Sequence, residues 1–348
     1  MPEGLLMYGC AISDIIHSFG GPTVEDVIIL GDVTYGACCV DDLAARDLGC
    51  DYLVHYGHSC LVPINKTTVP MMYVFVEIQV DVEHLVECVM ETFASSGTPP
   101  SSVSIQIMGT IQFRSAIANA NEALRDKGFV TNIPQAKPLS PGEVLGCTAP
   151  NKLYSNDLQN NNITQTILFI ADGRFHLEAA MMANPRLTAY KYDPYSKSLT
   201  EEKYNIKKTR EIRLNAVNKA RKAKTIGVVL GTLGRQGNPA ILHRVVTILS
   251  ESGIENFTVL LSEIFPQKLA LMGADAWVQI ACPRLSVDWG HFFSSPVLSV
   301  YELEVMLGKS EWLSEDEGYP MDYYKTGDHQ YGNYGAENGK RQYAGLDV

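Results

Sequence analysis

Three stretches of this chain repeat one pattern, an apolar strand-like run, a Gly-containing turn and an amphipathic helix, and this recurrence limits the fold more than any other feature. They are EGLLMYGCAISDIIHSF (3–19), SVSIQIMGTIQFRSAIANANEAL (102–124) and TIGVVLGTLGRQGNPAILHRVV (225–246). A second strand follows each: DVIILGD (26–32), GFVTNIP (128–134) and NFTVLLSE (256–263). A helix and a further strand complete each unit. VDDLAARDLGCDYLVHYG has Gly49 and IFPQKLALMGADAWVQIAC has Gly273 as helix-ending glycines, and the middle unit reads TILFIADGRFHLEAAMMANPRLTAYKYDP. Alternation of this kind predicts an α/β fold of parallel sheets with helices on both faces, and ligand sites beyond the carboxyl ends of the strands. The same pattern also occurs in α/β proteins without a threefold arrangement. The division expected is 1–101, 102–218 and 219–324, with a polar Tyr- and Gly-rich tail at 325–348.

Each unit carries a cysteine in a Gly- or Pro-flanked loop after an apolar run: Cys38 in TYGACCVDD, Cys147 in VLGCTAP and Cys282 in IACPRL. None of these loops contains the CxxC spacing of a zinc ribbon or a bacterial ferredoxin. The pattern points to one metal centre assembled from three separate pieces of fold, with a coordination position left open. Cys39 adjoins Cys38, and Cys60 lies in the nearby YGHSC loop, so the first ligand has neighbours that compete with it.

Composition sets the remaining bounds. At 348 residues, 46% hydrophobic and 19% charged, the chain can bury large cores. No apolar run approaches a membrane span, and MPEGLLMYG lacks the features of a signal peptide. Eight cysteines are too few for a disulfide scaffold, and Cys10, Cys50 and Cys88 sit in apolar patterns expected to bury them. A reducing, cytoplasmic compartment is expected. The net charge of -11 argues against a general nucleic-acid binder. Beyond residue 308 the chain turns rich in Tyr, Gly and acidic residues and is expected to pack little.

Several longer motifs together resemble one family: GDVTYGACCVDD (31–42), YGHSCLVP (56–63), LGCTAP (145–150), ADGRFH (171–176), GTLGRQGN (231–238), ACPRLSVDWG (281–290) and YPMDYY (319–324). The family is the 2-(3-amino-3-carboxypropyl)histidine synthases, first-step enzymes of diphthamide biosynthesis, and the chain looks like their eukaryotic catalytic subunit 1 type. The resemblance spans about residues 3–324. It implies three Rossmann-like parallel-sheet domains in a pseudo-threefold triangle, each giving one cysteine, here Cys38, Cys147 and Cys282, to a 4Fe-4S cluster. It further implies S-adenosyl-L-methionine as co-substrate, cleaved to methylthioadenosine by one electron from the cluster. The 3-amino-3-carboxypropyl group then passes to C2 of a histidine of elongation factor 2. The partners implied are a sister subunit in a heterodimer, elongation factor 2 and an electron-donor protein, with no nucleic acid and no membrane. Eukaryotic members carry an N-terminal extension ahead of the MPEGLLMY segment, and the core is expected to be complete without it.

Within this frame the GTLGRQGN loop, with Gly234, Gly237 and Gln236, is a seat for the methionine moiety, its backbone amides facing a carboxylate at a helix start. Arg284 is the candidate partner of the methionine carboxylate. His176 is the candidate cofactor contact or proton acceptor, with a hydrogen-bonded structural histidine as the alternative. Asp172 is read as a helix cap, as are Asp32, Asp41 and Asp42 around the first cysteine loop. His55 and His58 match no zinc spacing. Two other functions share three scattered cysteines: a quinolinate-synthase-like 4Fe-4S dehydratase, and a non-catalytic cluster-bearing partner subunit.

Overall fold

In a computed structural model describing residues 1–31, 36–314 and 316–325, the chain separates between Val76 and Glu77 into two units. The first unit begins with a 3-10 turn, Glu3–Tyr8, that runs directly into helix α1, Gly9–Phe19. The apolar run at 4–8 is therefore not the strand expected from it. Leu5, Tyr8, Ile12, Ile15 and Phe19 recur at three- and four-residue spacing, and that helical period prevails over a run too short to decide by itself. Residues 26–31 likewise form no strand, because no ladder partner pairs with them among the described residues.

Helix α2, Asp42–Asp47, is capped by Asp41, whose carboxylate accepts from the Ala44 amide at 3.0 Å. It ends at Gly49, which takes the left-handed φ of 78° that the expected glycine stop requires. Strands β1, Leu53–Tyr56, and β2, Met71–Val74, then pair in parallel. Asp42 is the first residue of α2 and not its cap; it is buried, and its carboxylate accepts from the Thr68 amide at 2.6 Å and hydroxyl at 2.9 Å, tying α2 to the turn before β2.

The second unit opens with α3, Val82–Ser95, followed by β3, Val103–Gly109, α4, Arg114–Asp126, and β4, Val130–Asn132. Next come α5, Asn156–Asn160, β5, Thr164–Ile170, α6, Phe175–Ala183, β6, Thr188–Asp193, and β7, Ser198–Glu202. After α7, Ile206–Ala220, the chain forms β8, Thr225–Gly231, α8, Pro239–Glu251, β9, Glu255–Leu261, α9, Pro266–Ala270, and β10, Ala276–Ile280. It closes with α10, Arg284–Trp289, β11, Val297–Leu298, and α11, Val300–Met306.

Among the described residues the strands of the second unit make two sheets, β4-β3-β5-β6-β7 and β11-β10-β8-β9. Among the described residues only β7 runs antiparallel to its neighbour. β3 is buried along its whole length and β8 from Ile226 on, as sheets covered on both faces require. This is the α/β class expected from the alternation. Helix α3 packs its Leu85, Val86 and Phe93 into the second unit's core with β3 and α4, although a division at residue 101 would assign it to the first. α7 runs through the expected division at 218.

The segment beyond residue 308 differs from its expected looseness. Tyr319, Met321, Tyr323 and Tyr324 are all buried, because aromatic side chains supply apolar surface that a count of aliphatic residues misses. Residues 326–348 of the expected tail lie outside the described residues. Of the cysteines expected to be buried, Cys10 is exposed while Cys50 and Cys88 are half-buried.

Beneath that segment lies an ion pair between Arg213 of α7 and Glu302 of α11, whose side chains are 1% and 0% exposed. Arg213 donates Nε–H to Oε1 at 2.7 Å and an Nη2–H to Oε2 at 2.6 Å, with a further bond to the Val297 carbonyl. The Tyr319 hydroxyl donates to Glu302 Oε1 at 2.8 Å. Removing one member strands the other charge in the core. Glu302→Leu should lower unfolding free energy by about 3–5 kcal/mol, read from urea transitions, and an unchanged midpoint would contradict this account.

Candidate functional site

β8 and β10 pair in parallel with Leu230 opposite Ile280, so the loops leaving their carboxyl ends start side by side. One is the Gly-rich loop and the other carries Cys282. A Cβ on Gly231 would lie 2.6 Å from that of Ala281, and one on Gly237 would lie 2.2 Å from the Gly231 carbonyl oxygen. These glycines serve close packing of backbone on backbone. Gly234 supplies a left-handed φ of 52°. At the start of α8 the Asn238 side chain accepts from the Ala240 and Ile241 amides, so it occupies two donors of the seat expected there. The Gln236 side chain stays near the site, its oxygen 3.6 Å from where a Gly231 Cβ would stand.

Cys282 is half-buried and held by Gln279 of β10. That side chain accepts from the Ala281 amide at 2.9 Å and donates to the Cys282 carbonyl at 3.0 Å. Pro283 then begins the turn into α10. Cys147 sits in a tight turn closed by bonds from the Leu145 amide to the Thr148 carbonyl, 2.9 Å, and from the Thr148 amide to the Leu145 carbonyl, 3.2 Å. The structure brings the two cysteines together, and both thiols are pushed up. Burial is the main cause in each, and for Cys147 the neighbouring Cys282 adds to it. Two neighbouring thiols whose ionised forms burial disfavours are a donor set suited to a cation that takes them as thiolates.

Three features of this site escape sequence reasoning. The 319–324 segment straps the Cys147 loop: Ala149 N–H donates to the Met321 carbonyl, Tyr323 N–H to the Cys147 carbonyl and Tyr324 N–H to the Thr148 hydroxyl. Its Tyr323 hydroxyl reaches the Gln236 carbonyl at 3.1 Å, and Asp322 and Tyr323 line a small cavity with Ala281 and Pro283. Second, Phe175 packs against Gly146, where a Cβ would lie 2.1 Å from its ring. Third, Arg284 is surrounded by partners that no spacing announces. It bonds Asp288 and Glu178 at 2.7 Å each, and the Phe175 and Gly146 carbonyls at 2.8 and 3.3 Å. A guanidinium so engaged, between two carboxylates, is poorly placed to take the substrate carboxylate offered to it from the sequence.

His176 is half-buried at the start of α6, its pKa lowered to about 4 by burial, then by the charge of Arg284, with Asp172 opposing. It is neutral at physiological pH, as a proton acceptor has to be. Asp172 does not cap α6, whose first turn has no side-chain cap.

In the first unit Cys38 is half-buried and Cys39 buried, their sulfurs 3.9 Å apart, while Cys60 is exposed. His55 is buried and stacks on His58 with centroids 5.2 Å apart. Asp32 lies outside the described residues. All eight cysteines are thiols, and within neither unit do three His, Cys, Asp or Glu side chains gather to hold a metal among the described residues. No helix there is long and apolar enough to cross a membrane.

The family model described as "Putative diphthamide synthesis protein" matches residues 1–317. The chain is 48% identical to 2-(3-amino-3-carboxypropyl)histidine synthase subunit 1 of Dictyostelium discoideum over 96% of this chain and 68% of that protein. It is 49% identical to the protein of that name from Yarrowia lipolytica, over 99% and 75%, and 49% identical to that of Gallus gallus, over 94% and 75%. Its structure is similar to the crystal structure of Dph2 from Pyrococcus horikoshii with a 4Fe-4S cluster, at TM-score 0.72 and 28% identity, over 92% of this chain and 88% of that one.

The neutral His176 has a consequence for stability. The unfolded imidazole titrates near 6.5 and the folded one near 4, so between these values the unfolded chain binds more protons. Stability therefore falls as pH drops through that window, by at most about 1.4 kcal/mol per pH unit for this group. His176→Gln should flatten the pH dependence of the urea midpoint between pH 6.5 and 4.5 relative to the parent. Parallel profiles would show that His176 is not held neutral.

Proposed function

Since this chain belongs to the diphthamide synthesis protein family, we propose that it performs the first step of diphthamide biosynthesis on a histidine of elongation factor 2. It is an aminocarboxypropyl transferase of the histidine synthase subunit 1 kind. The observation that carries the reading is the meeting of Cys147 and Cys282 on neighbouring loops of an α/β unit. The similar archaeal structure contains a 4Fe-4S cluster. In this reading Cys147 and Cys282 would hold such a cluster, with Cys38, in preference to Cys39, as the third thiolate. A cluster bound there would supply the single electron that cleaves S-adenosylmethionine.

The chain's residues carry the rest. The bond broken joins the sulfonium to the methionine γ-carbon, and methylthioadenosine leaves. The new bond joins that carbon to imidazole C2, whose hydrogen departs as a proton while an electron is returned. Gln236 and the turn at Gly234 and Gly237 orient the methionine moiety. His176, neutral at working pH, accepts the proton. The 319–324 strap excludes water from the cysteine loops. The partners in this reading are a second subunit of the same family, elongation factor 2 and a cytoplasmic electron donor.

Anaerobic reconstitution should give close to four irons and four sulfides per chain, and fewer than about two would exclude a cluster. With partner subunit, dithionite, S-adenosylmethionine and elongation factor 2, the product should be methylthioadenosine. Formation of 5'-deoxyadenosine would overturn the bond assignment, and iron without any turnover would favour a non-catalytic cluster-bearing subunit. Cys147→Ala and Cys282→Ala should each lose iron and activity together.

A further inference from the structure

We propose that Arg284 is a positioning residue that locks the two cysteine loops of the second unit into one preformed half-site; this rests on the cluster reading above. Its place in the chain is two residues after Cys282, at the first position of α10. Its side chain is 3% exposed, and four of its N–H groups are spent on four different backbone or carboxylate oxygens. One of those oxygens is the Gly146 carbonyl, in the peptide group that enters Cys147. A single planar group thus touches the residue before one cysteine and sits on the turn after the other.

The remaining contacts fix the direction of that plane. Asp288, one helical turn onward, holds Nε at 2.7 Å, and Glu178 of α6 holds Nη2 at 2.7 Å. The guanidinium carbon lies 4.1 Å from the centre of the Phe175 ring, and that ring also packs against Gly146 and, edge-on, against the His176 ring. Gly146, Phe175 and Arg284 therefore form a layered stack that a Cβ at position 146 would push apart. Lysine can replace the charge but not the fork, because an ammonium presents no fixed plane of donors.

Outer contacts of this kind commonly change metal affinity 10- to 100-fold when removed. The test uses the full chain, reconstituted anaerobically, with iron loss to a chelator, the electron paramagnetic resonance spectrum of the reduced protein and its midpoint potential as readouts. Arg284→Gln should lose iron about 10-fold faster than the parent and shift the potential to more negative values, since a positive charge beside the reduced centre is gone. Arg284→Lys should recover the potential while still losing iron faster. Gly146→Ala, which leaves Arg284 intact, should also speed iron loss. If Arg284→Gln does not fold, Arg284→Lys and Gly146→Ala decide the question. Parent-like iron retention and spectra in the folded variants would overturn the proposal. Absence of iron from the parent would overturn the cluster reading and this one together, whereas an iron-loaded parent that yields no methylthioadenosine would overturn only the chemistry.

Discussion

The parallel register between β8 and β10 is the constraint from which the site follows. Parallel strands deliver their carboxyl ends to the same edge, and here Leu230 stands opposite Ile280, so Gly231 and Ala281 leave the sheet together. Two backbones emerging this close tolerate no Cβ at Gly231 and none at Gly237, where the loop folds back onto its own strand. The Gly-rich sequence of this loop is thus a packing requirement before it is a ligand seat. The cost of a glycine in an ordered loop is accepted because no other residue lets Gln236 and Cys282 share one edge.

Cys147 arrives from a different sheet, and its position is fixed by chain that follows α11. Backbone bonds from residues 149, 323 and 324 to or from the 319–324 strap satisfy polar groups that would otherwise lie buried and unpaired. Loops usually have few such bonds and move accordingly. The turn holding Cys147 is closed on itself and strapped from outside, so its thiol is presented from a rigid element.

Much of this was legible in the residues, and what was not has identifiable causes. The alternation of strand and helix in SVSIQIMG and TIGVVLG is strong because the strands are long and buried, so β3 and β8 form as read. The short apolar run at 4–8 fails because a strand is defined by its ladder partners, and here helical spacing continues unbroken through Phe19. The cysteines stand out by type and loop context. Arg284 is visible beside Cys282, but its occupants Glu178 and Asp288 and the Phe175 ring come from packing between elements. Likewise Tyr319 to Tyr324 belong to a stretch read as packing little, because burial of aromatic rings depends on neighbours the sequence does not display.

The two buried arginines show how such a site can be held without relying on loops alone. A buried ion pair adds little stability beyond an apolar replacement, since desolvation consumes most of the attraction. What it adds is direction, because a guanidinium fork accepts carboxylates only in its plane. Arg213 fixes Glu302, and Glu302 accepts a hydrogen bond from the Tyr319 hydroxyl, so the base of the strap is tied to α7 and α11 in the core. Arg284 ties the Cys147 turn, which the strap also holds, to the start of α10. Between these anchors the chain has little room to shift, and the Cys147 turn is held by bonds to elements packed in the core as well as by its own closure.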